Sequence, residues 1–243
     1  MYAQYFSETP LSGKSTGPGR IKTKNETVNI RSRQLFPAYL AYPQGSGRYP
    51  GIVLIHSFTG LEPGYRELAD NFASEGFVVI APEWQTHDER PPDEDVEGVI
   101  TASVAFLKRR PDVDPSRLGL TGFCAGGRYT MLFLPQVKDF GSGVPFYGFP
   151  YSRGFADQTT PASHISSLDV PMLMIHGTAD QASHIADIYK YATELDRGKK
   201  YFELKVYQGE PHGFMIRNTQ LSMSFPAKDA FSEMVAFFSR TLK

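Results

Sequence analysis

A chain of 243 residues, 41% of them hydrophobic and 21% charged, has enough apolar material for one sizeable packed domain. Its formal net charge of −1 supplies no basic face for nucleic acid or an acidic membrane surface, and its single cysteine, Cys124, excludes an internal disulfide and any multi-cysteine zinc site. Residues 1–20 lack a basic start followed by an apolar stretch and no run reaches membrane-spanning length, so a soluble, cytoplasmic protein is expected.

Residues 1–22 have the small, polar composition of an N-terminal arm, and 23–243 read as a single domain. Alternating segments at 26–31 and 34–42 predict an antiparallel hairpin, and Gly51-Ile52-Val53-Leu54-Ile55 a short buried strand. An amphipathic helix over 65–75, stopped by Gly76, leads to a buried strand over 77–80. The charged, proline-rich stretch 82–94 predicts a long loop across one end of the sheet, forming part of a site wall. A helix over 96–109 ends before Pro111, and a strand over 118–121 follows. Strands over 143–147, 171–176 and 201–207, with helices over 182–195 and 227–242, complete an alternation. The fold class is therefore α/β: a mostly parallel, twisted sheet of about seven or eight strands with helices on both faces.

In such sheets ligands bind beyond the carboxyl ends of the strands, so reactive residues are sought just after strands. Cys124 lies in Thr121-Gly122-Phe123-Cys124-Ala125-Gly126-Gly127, a strand running through Gly-x-Cys-x-Gly into a helix. That is the layout of a nucleophile elbow with sulfur in place of a hydroxyl, where glycines relieve clashes and helix amides favour a thiolate. A lone cysteine would otherwise read as a small buried side chain, but packing alone has no need of both Gly122 and Gly126. Asp180 follows the strand ending at His176, and His212 follows the last strand in Gly209-Glu210-Pro211-His212-Gly213-Phe214. The order nucleophile, acid, histidine is that of an α/β-hydrolase fold. The imidazole would take the thiol proton and the carboxylate would fix its tautomer. Asp180 also suits a helix N-cap, and the two roles are compatible. His176 and His56 read as locally hydrogen-bonded, His164 and His184 as surface or cap residues. None has metal-ligand spacing, so no metal site is expected.

The chain resembles the dienelactone hydrolase family of α/β-hydrolases, sharply at Gly122-Phe123-Cys124-Ala125-Gly126-Gly127, His176-Gly177-Thr178-Ala179-Asp180 and His212-Gly213-Phe214, and in element order over roughly residues 25–243. The resemblance implies a Cys124–Asp180–His212 triad, no cofactor, and cleavage of a small lactone or ester through an acyl-cysteine. It further implies an oxyanion hole from the backbone amides of Phe58 and Ala125.

Two positions depart from the family pattern. Ser57 stands where lactone-cleaving members carry a glutamate, and Arg217 lies one place beyond the expected carboxylate-binding arginine. Either His212 alone maintains the thiolate, or another carboxylate such as Glu83 or Glu210 reaches the site. Substrate-binding candidates are Ser57, Trp84, Arg90, Tyr147 and Arg217. Tyr65, His87, Phe149 and Tyr151 are pocket wall or ordinary packing, and Arg128 either grips an anion or pairs with an acid at the core edge. The expected partners are a small ester or lactone and water, with the chain a monomer or dimer. A broad-specificity carboxylesterase or thioesterase is the enzymatic alternative, and a non-catalytic thiol sensor or binding protein the alternative of a different class.

Overall fold

The computed structural model describes residues 20–30 and 34–243. Most of the expected arm lies outside these residues, and its last two, Ile21 and Lys22, already belong to a strand. That strand, β1 (Ile21–Ile30), pairs antiparallel with β2 (Gln34–Pro43), Ile21 opposite Pro43 and Ile30 opposite Gln34. It begins earlier than the alternation suggested because it is an edge strand. Its first residues, Ile-Lys-Thr-Lys-Asn, are largely solvated and carry no apolar period to read.

From there the chain forms β3 (Tyr49–Ile55), α1 (Pro63–Ser74), β4 (Val78–Pro82), α2 (Asp93–Lys108), β5 (Val113–Phe123), α3 (Ala125–Phe133) and β6 (Ser142–Phe146). A 3-10 helix (Pro161–Ser167), β7 (Met172–Gly177), α4 (Ile185–Arg197), β8 (Phe202–Tyr207), β9 (Ile216–Arg217), β10 (Gln220–Leu221) and α5 (Phe225–Thr241) follow. Eight strands make one sheet in the order β1-β2-β4-β3-β5-β6-β7-β8. β2 is antiparallel to both its neighbours, and every pairing from β4 to β8 is parallel.

The inner parallel strands β3, β4, β6 and β7 are apolar on both faces, and both faces are covered, whereas the edge strand β8 carries Glu203 and Lys205. In β3, Val53 and Ile55 join a core with Val99 and Ile100 of α2, Leu132 of α3 and Leu195 of α4. The intervening Ile52 and Leu54 join a second core with Leu68 and Phe72 of α1 and Phe237 and Phe238 of α5. This is the expected three-layer α/β architecture. No helix among the described residues is long and apolar enough to cross a membrane.

The stretch 82–94 is less uniformly exposed than its composition suggested. Trp84 is 1% exposed, and α2 already begins at Asp93, three acidic residues stabilising its amino end. Asp93 itself is buried because Arg128 of α3 reaches it through two parallel hydrogen bonds, Nη1 to Oδ1 at 2.7 Å and Nη2 to Oδ2 at 2.8 Å. The same guanidinium donates to the Ser152 and Thr159 carbonyls. Two elements had no sequence expectation: the 3-10 helix, and the β9–β10 hairpin. The hairpin turns through Asn218 and Thr219, both at positive φ, and Thr219 accepts from the Gly64 amide at 2.8 Å, tying it to α1.

Removing one partner of the Arg128–Asp93 pair leaves a buried charge uncompensated. Arg128→Ala is expected to cost about 3–5 kcal/mol in urea unfolding, with Arg128→Met/Asp93→Leu recovering much of that loss.

Candidate active site

β5 runs straight into α3 through Cys124, whose backbone stands at φ 57° and ψ −115°. L residues enter that region only under constraint, at a cost of about 1–3 kcal/mol. Close packing supplies the constraint. A Cβ at Gly122 would stand 2.2 Å from the Gly126 carbonyl oxygen, and one at Gly126 would stand 2.1 Å from that of Ile55. Strands β3 and β5 and helix α3 therefore close only on bare glycine. The Cys124 amide donates to Phe146 and its carbonyl accepts from the Arg128 amide, so the turn is tied on both sides.

Two further strand ends converge there. Asp180 follows β7 and is buried, and His212 follows β8. His212 Nδ1 lies 2.8 Å from Asp180 Oδ2, while Asp180 Oδ1 accepts from the amides of Ala182 and Ser183 at 2.9 and 2.8 Å. Asp180 thus closes the turn preceding α4. It does not cap α4 itself, which begins at Ile185 after His184. Burial alone would raise the Asp180 carboxyl, but the His212 hydrogen bond and the Ser183 amide hold it below its ordinary value. For His212 burial opposes the charge; the Asp180 hydrogen bond and the neighbouring Cys124 outweigh it and raise the imidazole to about 9. Its Nε2 is buried and makes no well-formed hydrogen bond, which leaves that nitrogen available to exchange a proton with the adjacent thiol.

The surrounding histidines are structural. His176 is pushed below its ordinary pKa by burial and bonds the Ser183 carbonyl through Nε2 at 2.7 Å. His56, lowered by burial to about 4, bonds the Ser57 carbonyl and stacks on Trp84.

Cys124 lies where two cavities meet. One, of about 220 Å³, is lined by Phe58, Ala125, Tyr129, Phe149 and Phe155, together with Arg128 and Ser152. The other, of about 450 Å³, is bounded by Ser57, Thr59, Glu62, Tyr65, Tyr147, His212 and the β9–β10 hairpin. Tyr147, at φ 35°, sets its ring edgewise on His212 with centroids 4.9 Å apart. Within the described residues no acceptor takes the amide hydrogen of Phe58 or of Ala125, the first residue of α3.

Of the sequence candidates, Ser57, Phe58, Ala125 and Tyr147 therefore line the site, with Tyr65 and Phe149. Trp84 does not: its indole is consumed in the core, where Nε1 donates to the His56 carbonyl at 3.2 Å. Arg217 points away and pairs with Glu210 at 2.8 Å, and Arg90 is exposed, its guanidinium 5.9 Å from the outer Phe58 ring. Neither Glu83, paired with Arg66, nor Glu210 supplies the missing carboxylate. The carboxylate that does enter is Glu62, which accepts from Thr59 Oγ1 at 2.9 Å, and Thr59 Oγ1 lies 2.6 Å from Ser57 Oγ. Only the spacing Ser57-x-Thr59-x-x-Glu62 across a turn could have pointed to it.

The model of the dienelactone hydrolase family matches residues 36–242. "Protein usf" of Aquifex pyrophilus is 30% identical over 224 residues, covering 84% of this chain and 93% of that protein. The "Putative carboxymethylenebutenolidase" of Methylorubrum extorquens is 26% identical over 258 residues, covering 97% and 84%. Among solved structures, that of "Putative Dienelactone Hydrolase" from Klebsiella pneumoniae subsp. pneumoniae superposes with a TM-score of 0.83 at 24% identity, covering 91% of this chain and 99% of that one.

The Asp180–His212 bond has a direct readout. Wild-type His212 is raised and so holds its proton until about pH 9; in Asp180→Asn it should release it at lower pH, nearer the ordinary 6.5. An NMR titration of the imidazole checks this, and an unmoved midpoint would contradict the assignment.

Proposed function

This chain belongs to the dienelactone hydrolase family, and we propose that it is a cysteine-dependent hydrolase that opens a small ester or lactone through an acyl-cysteine intermediate. The observation that carries the reading is the Cys124 side chain, held at a strained strand-to-helix turn beside an imidazole that is itself fixed by a buried carboxylate. A thiol kept only for packing, or only for sensing oxidants, has no use for the Asp180–His212 bond.

The reaction follows from these groups. His212 Nε2 takes the proton of the Cys124 thiol, and the sulfur attacks the substrate carbonyl carbon. Negative charge moves onto the carbonyl oxygen, where the amides of Phe58 and of Ala125 at the amino end of α3, both without an acceptor among the described residues, donate to it. The tetrahedral centre collapses, the carbon–oxygen bond of the alcohol breaks, and His212 returns its proton to the departing alkoxide. That leaves a thioester on Cys124. Water, deprotonated by His212, attacks the thioester carbonyl; the second tetrahedral centre expels the Cys124 thiolate and releases a carboxylic acid. Asp180, bonded through Oδ2, keeps Nδ1 protonated so that Nε2 faces the sulfur in both halves. For a lactone, alcohol and acid leave as one molecule.

A second reading, a carboxylesterase or thioesterase of broad acyl specificity, is favoured by the apolar lining of the smaller cavity and by Ser57 in place of an acid beside Cys124. It shares the mechanism and differs in substrate.

Cys124→Ala is expected to lower kcat/KM for a short aryl ester by about a thousandfold or more, because the remaining amides and cavity retain only binding and oxyanion stabilisation. Cys124→Ser should be nearly as impaired, its hydroxyl being harder to deprotonate than a thiol. Ester hydrolysis by purified Cys124→Ala at the wild-type rate removes the assignment.

A further inference from the structure

The two cavities that meet at Cys124 differ in the charge they offer a substrate. The smaller holds one cation, Arg128, and that cation is spent: both Asp93 oxygens face it, and two backbone carbonyls take further N–H groups. What remains is an apolar space walled by Phe58, Tyr129, Phe149 and Phe155. Its volume of about 220 Å³ exceeds the roughly 150 Å³ that accommodates a benzene ring.

The larger cavity contains no lysine or arginine among its lining residues; its one histidine, His212, is paired with the Asp180 carboxylate, and the carboxylate on its wall is Glu62. No lysine, arginine or histidine among the described residues forms a salt bridge with Glu62. Its partner is the Thr59 hydroxyl, which donates to Oε2. Because the Thr59 hydrogen is committed there, Ser57 is the donor in the 2.6 Å contact with Thr59, and the chain Ser57–Thr59–Glu62 ends on the carboxylate. The two other arginines near the opening do not offset it: Arg217 is paired with Glu210, and Arg90 lies outside the lining of both cavities. A substrate carboxylate would lose its hydration to an apolar wall on one side and face Glu62 on the other.

From this distribution we infer that the site selects esters with no anionic substituent, seating an apolar, phenyl-sized group in the smaller cavity and favouring an ammonium group on the part that lies in the Ser57–Glu62 cavity. The inference deepens the hydrolase reading and rests on it. Glu62 is then a specificity-determining residue, attracting a cation across the cavity.

Three phenylacetate esters of similar shape test it: the 2-(trimethylammonio)ethyl ester, the neutral 3,3-dimethylbutyl ester and the 3-carboxy-3-methylbutyl ester. At low salt kcat/KM should rank ammonium above neutral by about three- to tenfold, and the carboxylate ester below neutral by at least as much. In Glu62→Gln the ammonium-to-neutral ratio should fall toward one, in Glu62→Asp it should be partly kept, and in the wild type it should shrink as salt is raised. A carboxylate ester cleaved as well as the neutral one, or a ratio indifferent to both Glu62→Gln and salt, overturns the inference while leaving the cysteine mechanism standing. Turnover of the neutral ester by Cys124→Ala, or no turnover of any of the three by the wild type, overturns the mechanism and the inference together.

Discussion

The packing of β5 and α3 against β3 forces Cys124 into a backbone conformation that an isolated cysteine would avoid, and the arrangement of the site depends on that turn. Gly122 and Gly126 approach neighbouring carbonyls so closely that no Cβ fits at either position. The strain at φ 57° is held by the surrounding sheet and helix. With the turn fixed, Cys124 lines both cavities, as Phe58 does, and among the described residues the first amide of α3 is left beside it without an acceptor. Relaxing the turn would withdraw the sulfur from His212 and disconnect the cavities at once.

A second set of contacts holds the helix that completes the turn. Arg128 sits on the first turn of α3 and is gripped by Asp93 at the start of α2 and by the Ser152 and Thr159 carbonyls beyond β6. The residue that the sequence offers as an anion-binding candidate is therefore a strut, and the chemistry of the smaller cavity follows from that use: it is walled by aromatic rings and offers no unpaired positive charge. On the opposite side the β9–β10 hairpin, anchored to α1 through Gly64 and Thr219, borders the larger cavity, which Glu62 also lines. Stability and substrate preference are thus linked through a small number of side chains.

Local chemistry made much of this legible in the sequence. Short apolar runs alternating with amphipathic segments identify a parallel sheet covered on both faces, and glycines around Cys124 identify the elbow because their steric role is confined to a few consecutive residues. Asp180 and His212 were legible because both lie in the short turns that follow strands β7 and β8. What depends on distant partners was not. Trp84 stands in a polar, proline-rich stretch and is buried only because His56 and Tyr129 pack against it. Asp93 looks like a solvated residue until Arg128, thirty-five positions away, is brought to it. Glu62 became a site residue only through the Thr59 hydroxyl and the hairpin facing it, and the solvated edge strand β1 carried too few apolar residues to mark its start.

The central claim is that the sulfur of Cys124 carries the acyl group during turnover. Rapid mixing with an activated aryl ester, acid quenching and mass spectrometry of the intact protein and its peptides address it directly. The expected result is a mass increase equal to the acyl group minus one hydrogen, located on the peptide containing Cys124, formed and lost at rates compatible with turnover and absent from Cys124→Ala. Steady turnover with no adduct under the same quench, or an adduct on another residue, would contradict it.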